Sequence, residues 1–495
     1  MGVFLFSVAV ALAQTAQRQL VVPFDNATRE ARAYWLTEGS AVVLTDDLIA
    51  LGAPAITRED RLRAFDRLRV PPVATLSYAT VIRLGQVVGA SQVVVGSFDV
   101  NGDELTVRAR TIRLDTGRMS PELVERGSLA DMFAIYGRIA RRIVPESSVS
   151  TAQMEEGHPL RAAFEQYIKG VLAEAPAVQI ASLTEALRIA PAFQRARIAL
   201  WHVHNEQGDH QLALSSAKQV PPDDRLARQA RFLAGISMLQ LGQYQDAFNA
   251  FSDLNRVTPD PALLNNLGIV QLRRPAGSAA GRAVSYFGEA MKMDASDSDL
   301  FFNLGYAYWL DRDTQGAINW LREAVRRNPA DGDAHYALGV ALQAAGNTAE
   351  AAREKELARQ LSSTYAEWEA KQPGVNAIPR GLERVKVDID LPAALRVENV
   401  VVAAEQRDQR ETAAFHLERA TRLFDQELDV EAVAELRRTI FLAPYDSAAH
   451  LLLARIYLRG GRTAEAIDAL KIAVWSDPAN ADAKTLLERA IGQQQ

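Results

Sequence analysis

Three groups of residues in this chain could carry chemistry: its histidines, one acidic turn, and a short run that mixes amides with aromatics. His202, His204 and His210 sit together in "WHVHNEQGDH", a grouping that invites a metal reading. Residues two apart on a helix point to different sides, so His202 and His204 do not share a metal-binding face. Asp99, Asn101 and Asp103, followed by Glu104, have the alternation of a calcium loop. Such a loop needs a carboxylate at its twelfth position, where Arg110 stands here, and a hairpin turn explains the same residues. No dinucleotide, phosphate-loop, zinc-protease or serine-elbow spacing occurs, and the chain has no cysteine. No catalytic residue, cofactor or metal is therefore expected. That leaves "FNLGYAYW", residues 302–309, in which an asparagine, a Leu-Gly pair and four aromatics crowd together.

The elements that position that run come from a repeat. Leu304-Gly305 recur 34 residues later as Leu338-Gly339, and Ala317 recurs as Ala351. A fixed period of this size marks stacked supersecondary units rather than a single core. Aligned on the Leu-Gly pair and the downstream Ala, the chain divides into units 160–193, 194–227, 228–260, 261–297, 298–331 and 332–358. The period returns after a gap, where Ala420, Ala432 and Pro444 repeat as Ala454, Ala466 and Pro478. Each unit reads as two antiparallel helices with Gly or Ala at their close crossing and Pro ending the second helix. "ADAKTLLERAIGQQQ" reads as a polar-faced capping helix. His335, His416 and His450 fall at one common place in their units and read as packing residues.

This pattern resembles the tetratricopeptide repeat, with Trp missing from its usual place. The resemblance implies an all-α solenoid whose first helices line a concave groove that binds protein or peptide. It places Asn265, Asn266, Phe302, Asn303, Tyr306 and Trp309 on or beside that groove. Asn266 and Asn303 stand at equivalent positions just before Leu-Gly. In some members an asparagine there bonds the backbone of an extended peptide, since an amide is both donor and acceptor. Tyr306 and Trp309 would then cover apolar side chains.

Ahead of the array, residues 18–145 read as an α+β (α/β-type) domain. "QLVVPFDN" is a strand, Tyr34 to Leu51 a helix closed by Gly52, "APAITRED" a second strand, and "REDRLRAFDRL" and "SYATVIRLGQVVGA" two more helices. "SQVVVGSFDV" and "ELTVRARTIRL" flank Asn101-Gly102 as a hairpin, and "SLADMFAIYGRIARRI" is a closing helix. Pro23-Phe24, "LGQVVGASQVVVGSF" and Asp115-Thr116-Gly117 resemble the TolB-type N-terminal domain, a relative of FlgO- and CsgG-like envelope modules. That resemblance implies an assembly or ligand-sensing module of the bacterial envelope. Residues 1–13, "MGVFLFSVAVALA", have the apolar run and small-residue ending of a secretory signal, which implies a secreted or periplasmic chain.

The net charge of −6, with no concentrated basic block, argues against nucleic acid as a partner. Residues 359–411 break the period. There the helix "NTAEAAREKELARQLSSTYAEWEAKQ" is expected to run on past its unit into an irregular Pro-containing stretch, either a hinge or a strap along the solenoid. Residues 412–495 hold the last two units and the cap. The functional expectation is a non-enzymatic scaffold that binds an unidentified protein or peptide partner, with possible self-association through the N-terminal domain. Two alternatives remain. In one, a small-molecule sensor carries its ligand in the N-terminal domain; in the other, the chain is a cytoplasmic regulatory adaptor.

Overall fold

The computed structural model describes residues 18–68, 70, 76–150, 153–154, 157–274, 282–372, 374, 376–389, 399–443 and 446–494. The signal reading at residues 1–13 lies outside them. The chain divides into two compact units, the first ending at Arg161 and the second running from Ala162 to Gln495.

The first unit is built on a mixed sheet. Strands β1 (Gln19–Val21) and β2 (Asp25–Asn26) both run parallel to β3 (Gln92–Asn101), which pairs antiparallel with β4 (Glu104–Arg113), and β4 with β5 (Leu123–Ser128). Helices α1 (Trp35–Ala50), α2 (Arg58–Arg67), α3 (Tyr78–Val87) and α4 (Met132–Ile143) complete it. Leu105, Val107 and Ala109 are buried along β4, and Thr106 between them is covered as well. Phe24 lies so close to Gly96 that a Cβ there would sit 2.3 Å from its ring and 2.5 Å from the Arg108 carbonyl, so the sheet needs glycine at this point.

The expected hairpin forms with its loop one residue further on, one expected strand is absent, and one strand was not expected. Asn101 pairs with Glu104, so the hairpin loop is Gly102-Asp103, with Gly102 at φ +62° in the first loop position. "APAITRED" forms a single bridge, Ala55 with Gln19, instead of a strand. The cause is Thr57, whose hydroxyl accepts the Asp60 amide at 3.2 Å and starts α2 immediately. The edge strand β5, "LVERGS", carries no apolar alternation and is held by its pairing to β4.

The second unit is a run of helix pairs: α5 (Arg161–Leu172) and α6 (Pro176–Ile189), α7 (Gln194–Glu206) and α8 (His210–Lys218), α9 (Ala227–Gln240) and α10 (Tyr244–Val257), α11 (Pro261–Arg273) and α12 (Ala283–Met293), α13 (Ser298–Leu310) and α14 (Thr314–Arg327), α15 (Gly332–Ala344) and α16 (Thr348–Leu361). A short α17 (Ser363–Lys371) follows. After residue 399 come α18 (Asn399–Asp425) with α19 (Asp429–Leu442), α20 (Ser447–Arg459) with α21 (Thr463–Ser476), and the last helix α22 (Ala481–Gln494). Together these make an α+β unit followed by an all-α solenoid. Among the described residues, no helix is long and apolar enough to cross a membrane.

The Leu-Gly signature has a steric cause. A Cβ on Gly305 would stand 2.8 Å from the Leu321 side chain and 3.0 Å from its backbone nitrogen. Gly235 meets Phe251 and Gly268 meets Phe287 in the same way, so the first helix of each pair needs no side chain where the second presses on it. The turn between paired helices uses the left-handed region at Gly208, Gly242, Gly346 and Gly461, and Arg312 and Glu427 adopt it without being glycine. The helix expected to continue from Thr348 breaks instead at Ser362, whose backbone is extended (φ −150°, ψ 124°). Beyond the break, Tyr365 stacks on Tyr336 with ring centroids 4.2 Å apart, and Arg359 bonds Glu369 at 2.9 Å. These contacts fold α17 back onto the array.

Candidate peptide-binding groove

The structure gathers the candidate residues at one place. Asn265 and Asn266 lie on α11, and Phe302, Asn303, Tyr306 and Trp309 on α13. All but Trp309, which is half-buried, are covered, and the three asparagines are fully inaccessible. What covers them is the chain's own residues 378–389, an irregular stretch that lies across the first helices as a strap.

The asparagines grip the strap by its backbone. Asn303 accepts the Arg384 amide at 2.9 Å and donates to the Arg384 carbonyl at 3.0 Å. Asn266 does the same two residues on, accepting from the Lys386 amide at 2.9 Å and donating to its carbonyl at 2.8 Å. Asn265 donates to the Arg384 carbonyl at 2.9 Å and accepts from Asn303 at 2.8 Å, which links the two clamps. Each side-chain amide thus satisfies both backbone groups of one residue, leaving the residues between free to face elsewhere. Further along, the Tyr306 hydroxyl donates to the Pro379 carbonyl at 3.2 Å, and burial pushes its pKa up to about 12.

The side chains of the strap alternate. Arg384 and Lys386 turn towards carboxylates at the N-terminal ends of α13 and α15. Arg384 bonds Asp299 at 2.9 Å and Asp331 at 2.6 Å, and its guanidinium lies 3.8 Å from the centroid of the Phe302 ring. Lys386 bonds Asp297 at 2.7 Å and Asp299 at 2.6 Å. Asp297 and Asp331 also cap their helices, accepting the Asp299 and Ala334 amides, each at 3.0 Å. Burial works against the charge on Lys386, but Asp299 and Asp297 outweigh it and hold its pKa above the ordinary value. Burial likewise opposes the charge on Asp299, and Lys386 and Arg384 overcome it and hold that carboxyl below the usual range. Val385, Val387 and Ile389 take the opposite face and pack against the apolar cluster that includes Leu263, Leu267 and Leu304.

The acidic residues and the strap cations are not among the candidates that sequence reasoning selects. A signal for them exists: "LERVKVDI" alternates charge and β-branched residues with period two inside an otherwise helical array. The histidines are packed residues. His335 bonds Glu354 at 2.6 Å and the Pro329 carbonyl at 3.0 Å, and His416 bonds Glu435 at 2.6 Å. His450 is buried, and His202 meets the edge of Trp201. Among the described residues no group of three His, Asp or Glu is placed to hold a metal ion.

A tetratricopeptide-repeat family model matches residues 280–331, 317–363 and 403–484. These segments are tetratricopeptide repeats. Among solved structures, the chain is similar to YrrB, described as a TPR protein with an unusual peptide-binding site, at 20% identity over 38% of this chain and 97% of that one (TM-score 0.29). It is also similar to PilF of Pseudomonas aeruginosa, at 18% identity over 40% of this chain and 90% of that one (TM-score 0.32). A third likeness is to the Cut9–Hcn1 hetero-tetramer of the APC/C, at 15% identity over 72% of this chain and 59% of that one (TM-score 0.29). No curated protein sequence matches the chain.

Proposed function

We propose that this protein is a non-enzymatic, secreted or periplasmic scaffold that holds a polypeptide partner in the groove formed by α11, α13 and α15. The observation that supports this reading most directly is the pair of amide clamps. Asn266 and Asn303 each engage both backbone groups of one residue in an extended segment, a way of holding polypeptide whatever its side chains. The N-terminal unit, by its resemblance to TolB-type modules, docks or assembles in the cell envelope.

The test is photo-crosslinking in the native cell, with a crosslinkable amino acid at Trp309 on the groove rim. Val257, 78% exposed on the second helix of its unit, serves as the control position. A discrete protein trapped from position 309 and not from 257 supports the scaffold reading. Identical or empty patterns from both positions overturn it, and recovery of the chain in the cytoplasmic fraction overturns the envelope assignment.

A further inference from the structure

The floor of the groove cannot be left bare cheaply. Asp299 and Asp331 keep 2% and 0% of their side-chain surface, and their charges are matched by strap cations. Lifting the strap without replacement forfeits the ion pairs of these carboxylates and the backbone bonds of three asparagines, which only water would then satisfy. The groove therefore demands an occupant of defined chemistry: two cations at alternate positions, apolar side chains at the positions between and after them, and an extended backbone under the amides. The strap meets every requirement with Arg384, Val385, Lys386, Val387 and Ile389. It does so within the long connection between α17 and α18 instead of as an element of the repeat. Connections of that length in a compact array are commonly functional.

We infer that the strap is an exchangeable occupant, and that the groove releases it for a second polypeptide segment with basic residues two apart and β-branched or aliphatic residues between and after them. The inference rests on the reading of the groove as a polypeptide site. A tethered occupant acts at an effective concentration in the millimolar range, so it suppresses weak competitors and admits only a segment that reproduces its contacts. Main-chain clamps supply affinity common to any extended segment, while the alternating acidic and apolar walls select the sequence.

The experiment uses the full chain and a fluorescent peptide with the sequence of residues 376–389, measured by anisotropy. The double variant Arg384→Ala, Lys386→Ala removes the cations of the resident strap and leaves the groove intact. The peptide is expected to bind the double variant at least about thirtyfold more tightly than the unaltered chain, because it restores the buried ion pairs that the variant lacks. A peptide with Glu at the positions of Arg384 and Lys386 is expected to lose that binding. No binding to a folded double variant, equal binding to both proteins, or equal binding of both peptides overturns the inference.

Should the double variant fail to fold, hydrogen exchange on the unaltered chain decides. Strap amides 382–388 are expected to exchange faster than those of α13, because the strap opens without the helices. Exchange of both only together would make the strap a permanent part of the solenoid. A peptide that binds as expected while no partner is crosslinked in the cell would leave the exchange standing and remove the foreign partner from the scaffold reading.

Discussion

Replacing Asn303 by alanine tests the clamp at its most connected point. The substitution removes the bonds to the Arg384 amide (2.9 Å), the Arg384 carbonyl (3.0 Å) and Asn265 (2.8 Å). The carbonyl keeps a donor, because Asn265 still reaches it at 2.9 Å. The Arg384 amide and the Asn265 side-chain oxygen are left buried without a partner. Each orphaned group costs about 1–3 kcal/mol, about 2–6 kcal/mol for the two, and the strap should be loosened by the lower part of that range, about 2–4 kcal/mol. The cost is limited above by the free energy that closes the strap, since the segment can lift and let water satisfy both groups.

Amide exchange over residues 382–388 reads this directly, with an acceleration of about thirtyfold to a thousandfold for that loss. Asn265→Ala is the comparison, because it leaves the Arg384 carbonyl bonded to Asn303 and orphans no strap backbone group. Its effect should stay within about tenfold. If Asn303→Ala leaves exchange unchanged in a folded protein, or if Asn265→Ala matches it, the two-point backbone clamp is not what holds the strap.

Further expectations follow from the solenoid and the N-terminal unit. Gly305→Ala puts a methyl 2.8 Å from Leu321 and should cost about 1–3 kcal/mol in thermal unfolding. Gly288→Ala, at a helical glycine with nothing within 4 Å, should instead stabilise by about 0.5–1 kcal/mol. Arg312→Gly relieves a left-handed backbone (φ 63°) in a turn where the neighbouring unit uses Gly346, and should raise stability by about 0.5–1 kcal/mol in the same assay. In the N-terminal unit, burial raises the pKa of Asp47 to about 6, against the opposing effect of His158 at 2.8 Å. A carboxyl raised in the folded state favours folding below its unfolded pKa and loses that contribution as pH rises through its folded value. Asp47→Asn should therefore stabilise the chain more at pH 7.5 than at pH 4 in melts at the two pH values, and a larger gain at pH 4 would refute the assignment.

Much of this protein is local and was therefore legible in its residues. The helix pairs follow from the Leu-Gly period, because a glycine facing Leu321 or Phe251 answers a contact that lies within one unit of the chain. The hairpin of β3 and β4 follows from alternation and a turn, again between near neighbours. The same repeat sets Asn266 and Asn303 at equivalent places in their units, and the tetratricopeptide resemblance is what implied a groove beside them. A strap was one of two open readings of residues 359–411, but which of its residues meet the asparagines was not legible. Lys386 lies 120 residues from Asn266, and Arg384 lies 81 from Asn303, and no periodicity connects a strap to the floor beneath it. Its position depends on buried charges finding partners. Nothing in the sequence sets Asp299 and Asp331 apart from other acidic residues at helix starts, and only the folded array draws them inward until Arg384 becomes their counter-ion. The edge strand β5 and the break at Ser362 also depend on tertiary contact, but over short separations: β5 on its pairing with β4, and α17 on the stack of Tyr365 on Tyr336.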